Sequence, residues 1–245
     1  MTDSERSRGS VSAPARAGLG RTLGVAAAVT AVAAGLSYAL PESWAATGVG
    51  FTFLFASYWF VIRGDDSERI REFGLSLGGV LEPEPLSGRR IWQDTRQAVL
   101  LALLAAVVIY PFFWFGFRMW WKVDAFQPAP ILPRLLALPE ELLVIALPEE
   151  AFYRGYLQTS LDRHLGKRFS ILGTRVGLAL VLTSIIFALG HLLTRFDAAR
   201  LAVFFPSLVF GFLRAQSGGI GASILFHALC NLYSGYLLES YGLLR

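Results

Sequence analysis

The stretch that decides the fold covers residues 148–161 and reads PEEAFYRGYLQTSL. It follows the apolar run 142–147 and is itself half apolar, so it predicts a helix within a membrane. Charged side chains at that depth are costly unless they are paired. Glu150 and Arg154 are four residues apart on one helix face and are expected to pair. Glu149 points about 100° away from Glu150 and needs a partner from another helix.

The composition predicts a polytopic membrane protein. Of 245 residues, 54% are hydrophobic and 16% are charged, whereas soluble domains carry about 25% charged residues. The net charge of +4 does not indicate a nucleic-acid partner, because basic residues of membrane proteins concentrate in cytoplasmic loops. The single cysteine, Cys230, lies in an apolar run, so an intramolecular disulfide is excluded.

The predicted fold class is all-α: a polytopic bundle of about seven transmembrane helices, within a range of six to eight, with a cytoplasmic N-terminus. Lys and Arg concentrate in the segments that this orientation places inside. Residues 1–21 are predicted to form a disordered cytoplasmic tail. A polar cytoplasmic loop, 63–96, contains a surface helix near 67–75. The predicted spans are 22–40, 44–62, 98–121, a central helix ending near 161, 176–193, 198–213 and 220–238.

Two predicted membrane helices offer partners for the glutamates. FALGH ends in His191, and FHALCN places His227 and Asn231 four residues apart on one face. The third histidine, His164, lies in a basic loop and is predicted to be solvated. Each polar group alone is explained by hydrogen bonding between helices. Together, two carboxylates, two imidazoles and an amide suit activation of water and stabilisation of an oxyanion. Two imidazoles and a carboxylate also suit zinc with an open position for water.

Three motifs resemble those of one known family. EEAFYR (149–154) resembles the EExxxR motif of the CPBP intramembrane proteases, also called the Abi or CAAX-protease family, and FALGH and HALCN resemble its FxxxH and HxxxN motifs. The family includes type 2 CAAX prenyl proteases, bacteriocin-immunity proteins and proteins like lysostaphin resistance protein A. The resemblance covers about residues 139–240, and it predicts a catalytic bundle over 131–240 that follows N-terminal membrane helices over 22–130.

The resemblance implies a role for each residue of the motifs. Glu149 and His191 would activate the attacking water, and Glu150 and Arg154 would support the site. His227 and Asn231 would stabilise the oxyanion. No cofactor is implied by the family's glutamate mechanism, and zinc is the alternative. No HExxH motif is present, which would put two zinc ligands and a base on one helix.

The resemblance predicts an endopeptidase that cuts a membrane-attached protein near its anchor or C-terminus, with the lipid bilayer as surroundings and no nucleic acid. The alternatives are a sorting-type protease that removes C-terminal anchors, a non-catalytic scaffold of the immunity type, and a small transporter with buried carboxylates as proton sites. The Ala-, Arg- and Gly-rich composition favours a bacterial inner membrane. The substrate, the side of cleavage, the oligomeric state and the glutamate that faces the histidines stay open.

Overall fold

The computed structural model describes residues 18–243, so most of the predicted tail, residues 1–17, lies outside the described part. The first helix begins at Leu19. The described chain is almost entirely helical, as predicted. Its helices are α1 (Leu19–Ala39), α2 (Glu42–Ile62), α3 (Ser67–Glu72), α4 (Gly88–Trp121), α5 (Ile131–Leu136), α6 (138–165), α7 (Leu178–Thr194), α8 (Phe204–Ser217) and α9 (Gly221–Ser240).

Four stretches are long and apolar enough to cross a membrane: Leu19–Ala39, Glu42–Ile62, Gly88–Trp121 and Ala198–Ser217. The last of these joins α8 to the 3₁₀ turn Ala198–Val203 before it. The apolar helix α7 is shorter. The remaining two predicted spans, in α6 and α9, are helical. The protein is therefore an integral membrane protein, and the number seven and the cytoplasmic N-terminus stay predictions.

The polar loop 63–96 is ordered around one buried carboxylate, that of Glu82. Arg71 donates to Glu82 Oε2 from Nη2 at 2.6 Å, and Arg90 donates to Oε1 from Nη2 at 2.7 Å. Ser76 also donates its hydroxyl to Oε1. The predicted surface helix is α3, whose N-terminus is capped by the Asp66 carboxylate. The predicted polar loop thus folds around one carboxylate, and its last residues, from Gly88 onward, belong to α4 rather than to a loop.

The basic segment after α6 is more regular than predicted. The sequence indicated a loop, but Phe169–Ile171 and Thr174–Val176 form an antiparallel β-hairpin. Its two-residue turn consists of Leu172 and Gly173, and both have positive φ. Such a turn matches the twist of paired strands. The unusual φ of Leu172 explains why the sequence did not indicate this hairpin.

The core surrounds α6, which contacts α2, α7, α8 and α9. Aromatic side chains from these helices fill the centre, among them Phe53, Phe152, Phe187, Phe210 and Phe226. Close packing also fixes the loop against α6, because a Cβ on Gly155 would lie 2.6 Å from a Leu75 methyl group. The helix that carries the charged motif is thus enclosed by protein on several sides.

Candidate active site

The acidic residues of the site lie on α6, which alternates between α-helical and π-helical turns. The π-helical stretches are Glu141–Ala146 and Ala151–Gln158. Residues 141, 145, 149 and 153 all line one cavity. On a regular α-helix a spacing of four drifts by about 40° per step, so the wider π-helical turns help to keep these residues on one face. Such turns occur often at functional sites.

Glu149 is the glutamate that faces both histidines, which answers the question that the sequence left open. Its Oε2 lies 3.9 Å from His191 Nε2 and 3.9 Å from His227 Nε2. The Glu149 side chain is 13% exposed, whereas that of Glu150 is 0% exposed. Of the two neighbours, Glu149 is therefore the one that solvent or substrate can approach.

The buried carboxylate of Glu150 contacts two side chains, those of Arg154 and His227. The expected pair with Arg154 is present, with Nη1 3.1 Å from Glu150 Oε1. The same oxygen lies 2.9 Å from Nδ1 of His227. An ionised carboxylate can only accept hydrogen bonds, so Nδ1 of His227 carries the proton. This bond fixes the ring and directs Nε2 toward Glu149.

A backbone carbonyl orients His191. Nδ1 of its ring lies 3.1 Å from the carbonyl oxygen of Phe187, one turn earlier on α7. Since a carbonyl oxygen only accepts, Nδ1 carries the proton, and Nε2 of the neutral ring is an acceptor. Nε2 and the Glu149 carboxylate are then two acceptors 3.9 Å apart. A water molecule that donates one hydrogen to each satisfies both.

Arg154 is anchored on its far side by α8. Its Nη2 donates to the hydroxyl of Ser207 at 2.7 Å and to the carbonyl of Ser207 at 3.2 Å. The guanidinium carbon also lies 4.5 Å from the ring centre of Phe187 and 5.1 Å from that of Phe210. Charge, hydrogen bonds and aromatic faces together compensate the burial of this cation.

Asn231 meets a glutamate that the sequence reasoning did not select. Its Nδ2 donates to Oε2 of Glu141 at 2.9 Å. Both residues line the same cavity as Glu149. A signal was present in the sequence, because the triplet PEE occurs at 139–141 and again at 148–150. The first triplet sits near the start of α6 and supplies this second acid.

The cavity has a volume of about 560 Å³ and connects the site to one end of the bundle. Glu149, His191 and Asn231 belong to its wall, with Arg195 and Arg200 from the segment after α7. The opposite wall consists of α1 and α2 residues, including Thr30, Ser37, Glu42, Val49 and Phe53. The N-terminal helices, for which the sequence offered no role, thus enclose the site.

Glu149, His191 and His227 are the side chains that would hold a zinc ion. Zinc ligands lie about 2.0–2.2 Å from the metal. Within residues 18–243, no three His, Cys, Asp or Glu side chains form a group that could hold a metal ion. As they stand, these three side chains do not fit zinc, so no step is derived through a metal.

A carboxylate and two imidazoles lie 3.9 Å apart on α6, α7 and α9, in a bundle of which four other stretches are long and apolar enough to span a bilayer. Such groups suit acid–base activation of water within a membrane protein. Residues 131–233 match the family model of the type II CAAX prenyl endopeptidase Rce1-like proteins. This match supports an assignment to the CAAX protease (CPBP) family, and the resemblance of the three motifs is confirmed. The match includes all six predicted site residues and leaves α1–α4 unmatched. Comparisons with curated proteins and with solved structures found no match.

Proposed function

We propose that this CAAX-type protease is an endopeptidase that cuts a membrane-attached protein near its anchor or C-terminus, with water activated by Glu149 and His191. The observation that carries the proposal is the position of Glu149 Oε2, 3.9 Å from both Nε2 atoms at the wall of a cavity. The gap suits a water molecule whose oxygen is turned toward a substrate carbonyl. The family match supports a membrane-associated protein as the substrate.

In the proposed reaction the water oxygen attacks the carbonyl carbon of the scissile peptide bond. Glu149 takes one proton of the water, and His191 Nε2 accepts a hydrogen bond from the other. The carbonyl becomes an oxyanion. When the intermediate collapses, the C–N bond breaks, and Glu149 returns its proton to the leaving nitrogen. General-base catalysis of this kind contributes about 10²–10⁴-fold.

His227 and Asn231 are the proposed donors to the oxyanion. In the proposed mechanism the oxyanion accepts a hydrogen bond from Nε2 of a protonated His227, while Nδ1 of the same ring donates to the Glu150 carboxylate. Asn231 uses one Nδ2 hydrogen for Glu141 and has a second for the oxyanion. Fixed donors aimed at developing charge stabilise a transition state strongly. Glu150, Arg154 and Glu141 act as positioning residues.

The test compares the C-termini of membrane proteins in host cells that contain the wild type, a deletion or the Glu149→Gln variant. We expect specific truncated products in the wild type, and their loss in both mutants. These products define the substrate and the cleaved bond. If the deletion has a phenotype but Glu149→Gln leaves all C-termini as in the wild type, the chain is not acting as this protease, and a scaffold role is favoured.

A second measurement separates the glutamate mechanism from the zinc alternative. The purified protein is treated with a zinc chelator and its metal content is determined. We expect cleavage of the identified substrate to continue at the same rate without bound zinc. Loss of activity that is restored by added zinc would show that the metal mechanism operates instead.

A further inference from the structure

Arg200 is unusual among the arginines of this protein. Within residues 18–243, seven other arginines are buried or half-buried, and each donates at least one side-chain hydrogen bond: Arg69, Arg90, Arg118, Arg134, Arg154, Arg163 and Arg214. Half-buried Arg200 donates none to the described residues, and no described carboxylate oxygen lies within 4.0 Å of it. Partial burial of a cation costs free energy that hydrogen bonds normally offset. Because no described side chain pairs with it, the Arg200 guanidinium at the cavity wall is free to bind an anionic group of a ligand.

The backbone holds Arg200 in place. α7 ends at Thr194, and the Asp197 carboxylate then accepts a hydrogen bond from the backbone of Ala199 at 2.9 Å. This cap starts the 3₁₀ turn Ala198–Val203. Side chains three residues apart eclipse one another in such a turn, and Arg200 and Val203 both line the cavity. The guanidinium is therefore presented by a fixed turn rather than by an open loop.

Two arginines favour an anion at this part of the cavity, and a protein substrate offers a carboxylate. Arg195 lines the same cavity and adds a second cation, while the carboxylates of the lining are Glu141 and Glu149 on α6 and exposed Glu42 on α2. Glu149 lines the same cavity as Arg200, and the two form no ion pair. A guanidinium binds a carboxylate through two parallel hydrogen bonds. In the proposed reaction a substrate cut near its C-terminus carries its terminal carboxylate on the C-terminal side of the scissile bond, and this is the carboxylate assigned to Arg200.

We infer that Arg200 forms a subsite that binds a carboxylate of the substrate on the C-terminal side of the scissile bond. This inference rests on the proposed protease function. The carboxylate has two sources, the free C-terminus of the substrate or an Asp or Glu side chain near it. Either one would select substrates that are cut close to a negative charge, and Arg200 would set the distance between that charge and the cut.

The experiment uses peptides that copy the C-terminal segment of a protein whose truncation depends on Glu149. One peptide ends in a free carboxylate, one in an amide, and one carries an amide end with an added Asp. The full-length protein is assayed as wild type and as Arg200→Gln, Arg200→Lys and Arg89→Gln. Arg89 is exposed at the start of α4, outside the cavity, and serves as the matched control.

We expect the wild type and Arg89→Gln to cleave the acid peptide about 10- to 100-fold faster than the amide, in kcat/KM, as for a hydrogen bond between charged groups. Arg200→Gln should cleave the acid at the rate of the amide and leave the amide rate unchanged, and Arg200→Lys should restore part of the preference. Fast cleavage of the Asp peptide would identify a side chain as the source. Equal rates for acid and amide in the wild type, or equal loss of both in Arg200→Gln, would overturn the subsite.

Failure of the protease function gives a different result. In that case Glu149→Gln changes no protein C-terminus, and no peptide is cleaved. Binding of acetyl-Ala-Leu-Ala as the acid and as the amide to wild type and Arg200→Gln then decides whether the cavity takes a carboxylate. Equal binding of the two forms would contradict the subsite, and an acid preference that depends on Arg200 would support it.

Discussion

Glu149 and Glu150 are adjacent in the chain but have different surroundings. Glu149 borders the cavity and has two imidazole nitrogens at 3.9 Å. Glu150 is fully buried between Arg154 and His227. In the proposed mechanism Glu149 reacts, whereas Glu150 compensates the buried cation of Arg154. Changing each glutamate to glutamine should therefore have opposite effects: one variant loses mainly stability and the other mainly activity.

We expect Glu150→Gln to lower the free energy of unfolding by about 3 kcal/mol or more, because it leaves Arg154 buried without its counterion. Glu149→Gln should leave stability nearly unchanged and lower the cleavage rate about 10²–10⁴-fold. Thermal unfolding in detergent, followed by tryptophan fluorescence, provides the comparison. Equal stability of the two variants would contradict the assigned division of roles.

Glu141 is expected to act on Asn231 through the hydrogen bond between them. Glu141→Gln keeps an acceptor oxygen and should retain most activity. Glu141→Ala removes the acceptor, leaves Asn231 free to turn, and should lower kcat about 10-fold with little change in KM, as for loss of one hydrogen bond to a charged group. Glu140→Ala is the matched control, since Glu140 is exposed and lies outside the cavity wall. A Glu141→Gln variant as slow as Glu141→Ala would instead indicate a role for the charge itself.

At the scale of elements, the loop 63–96 packs against the helices that carry the site. The loop packs on Gly155 of α6, and Arg214 of α8 donates to the carbonyl of Glu72 at 2.8 Å. The loop in turn depends on Glu82. Hydrogen bonds from Arg71, which has the largest effect, and from Arg90 lower the pKa of the Glu82 carboxyl far below its usual range.

This shift predicts a pH dependence of the loop. Because the folded pKa of Glu82 is lowered, its stabilisation is fully present above the unfolded pKa of about 4.3. It is lost as the pH falls below that value toward the folded pKa. Limited proteolysis between pH 7 and pH 3, with an acid-tolerant protease, should show increasing cleavage within 63–96. Glu82→Gln should be cleaved readily at pH 7 and show little further change on acidification. A Glu82→Gln loop as resistant as the wild type would refute this role.

On the scale of the whole molecule, the cavity opens at one end of the bundle. Its rim includes Ser37 near the end of α1, Glu42 at the start of α2, and Thr194 at the end of α7. The loop 63–96 follows the other end of α2. The cytoplasmic N-terminus predicted from the basic residues would place this rim outside the cytoplasm. Cleavage would then occur on the outer side of the membrane.

Labelling of single cysteines tests this orientation. Native Cys230 is buried and should not react. Ser43→Cys, in the exposed start of α2, and Asp65→Cys, in the loop, are treated in intact cells with a maleimide that does not cross membranes. We expect labelling of Ser43→Cys alone, and labelling of both after the cells are broken. Labelling of Asp65→Cys alone in intact cells would reverse the orientation and place the site on the cytoplasmic side.

The sequence by itself determined the helical membrane fold, the positions of most helices, and six candidate residues. This was possible because apolar length, helix spacing and charges within apolar runs are local properties of the chain. The tertiary structure alone decided which glutamate faces the histidines, since that depends on the π-helical turns of α6 and on the packing of three helices. It also brought Glu141 to Asn231 and α1 and α2 to the cavity. These contacts join residues far apart in the chain, and no local pattern encodes them.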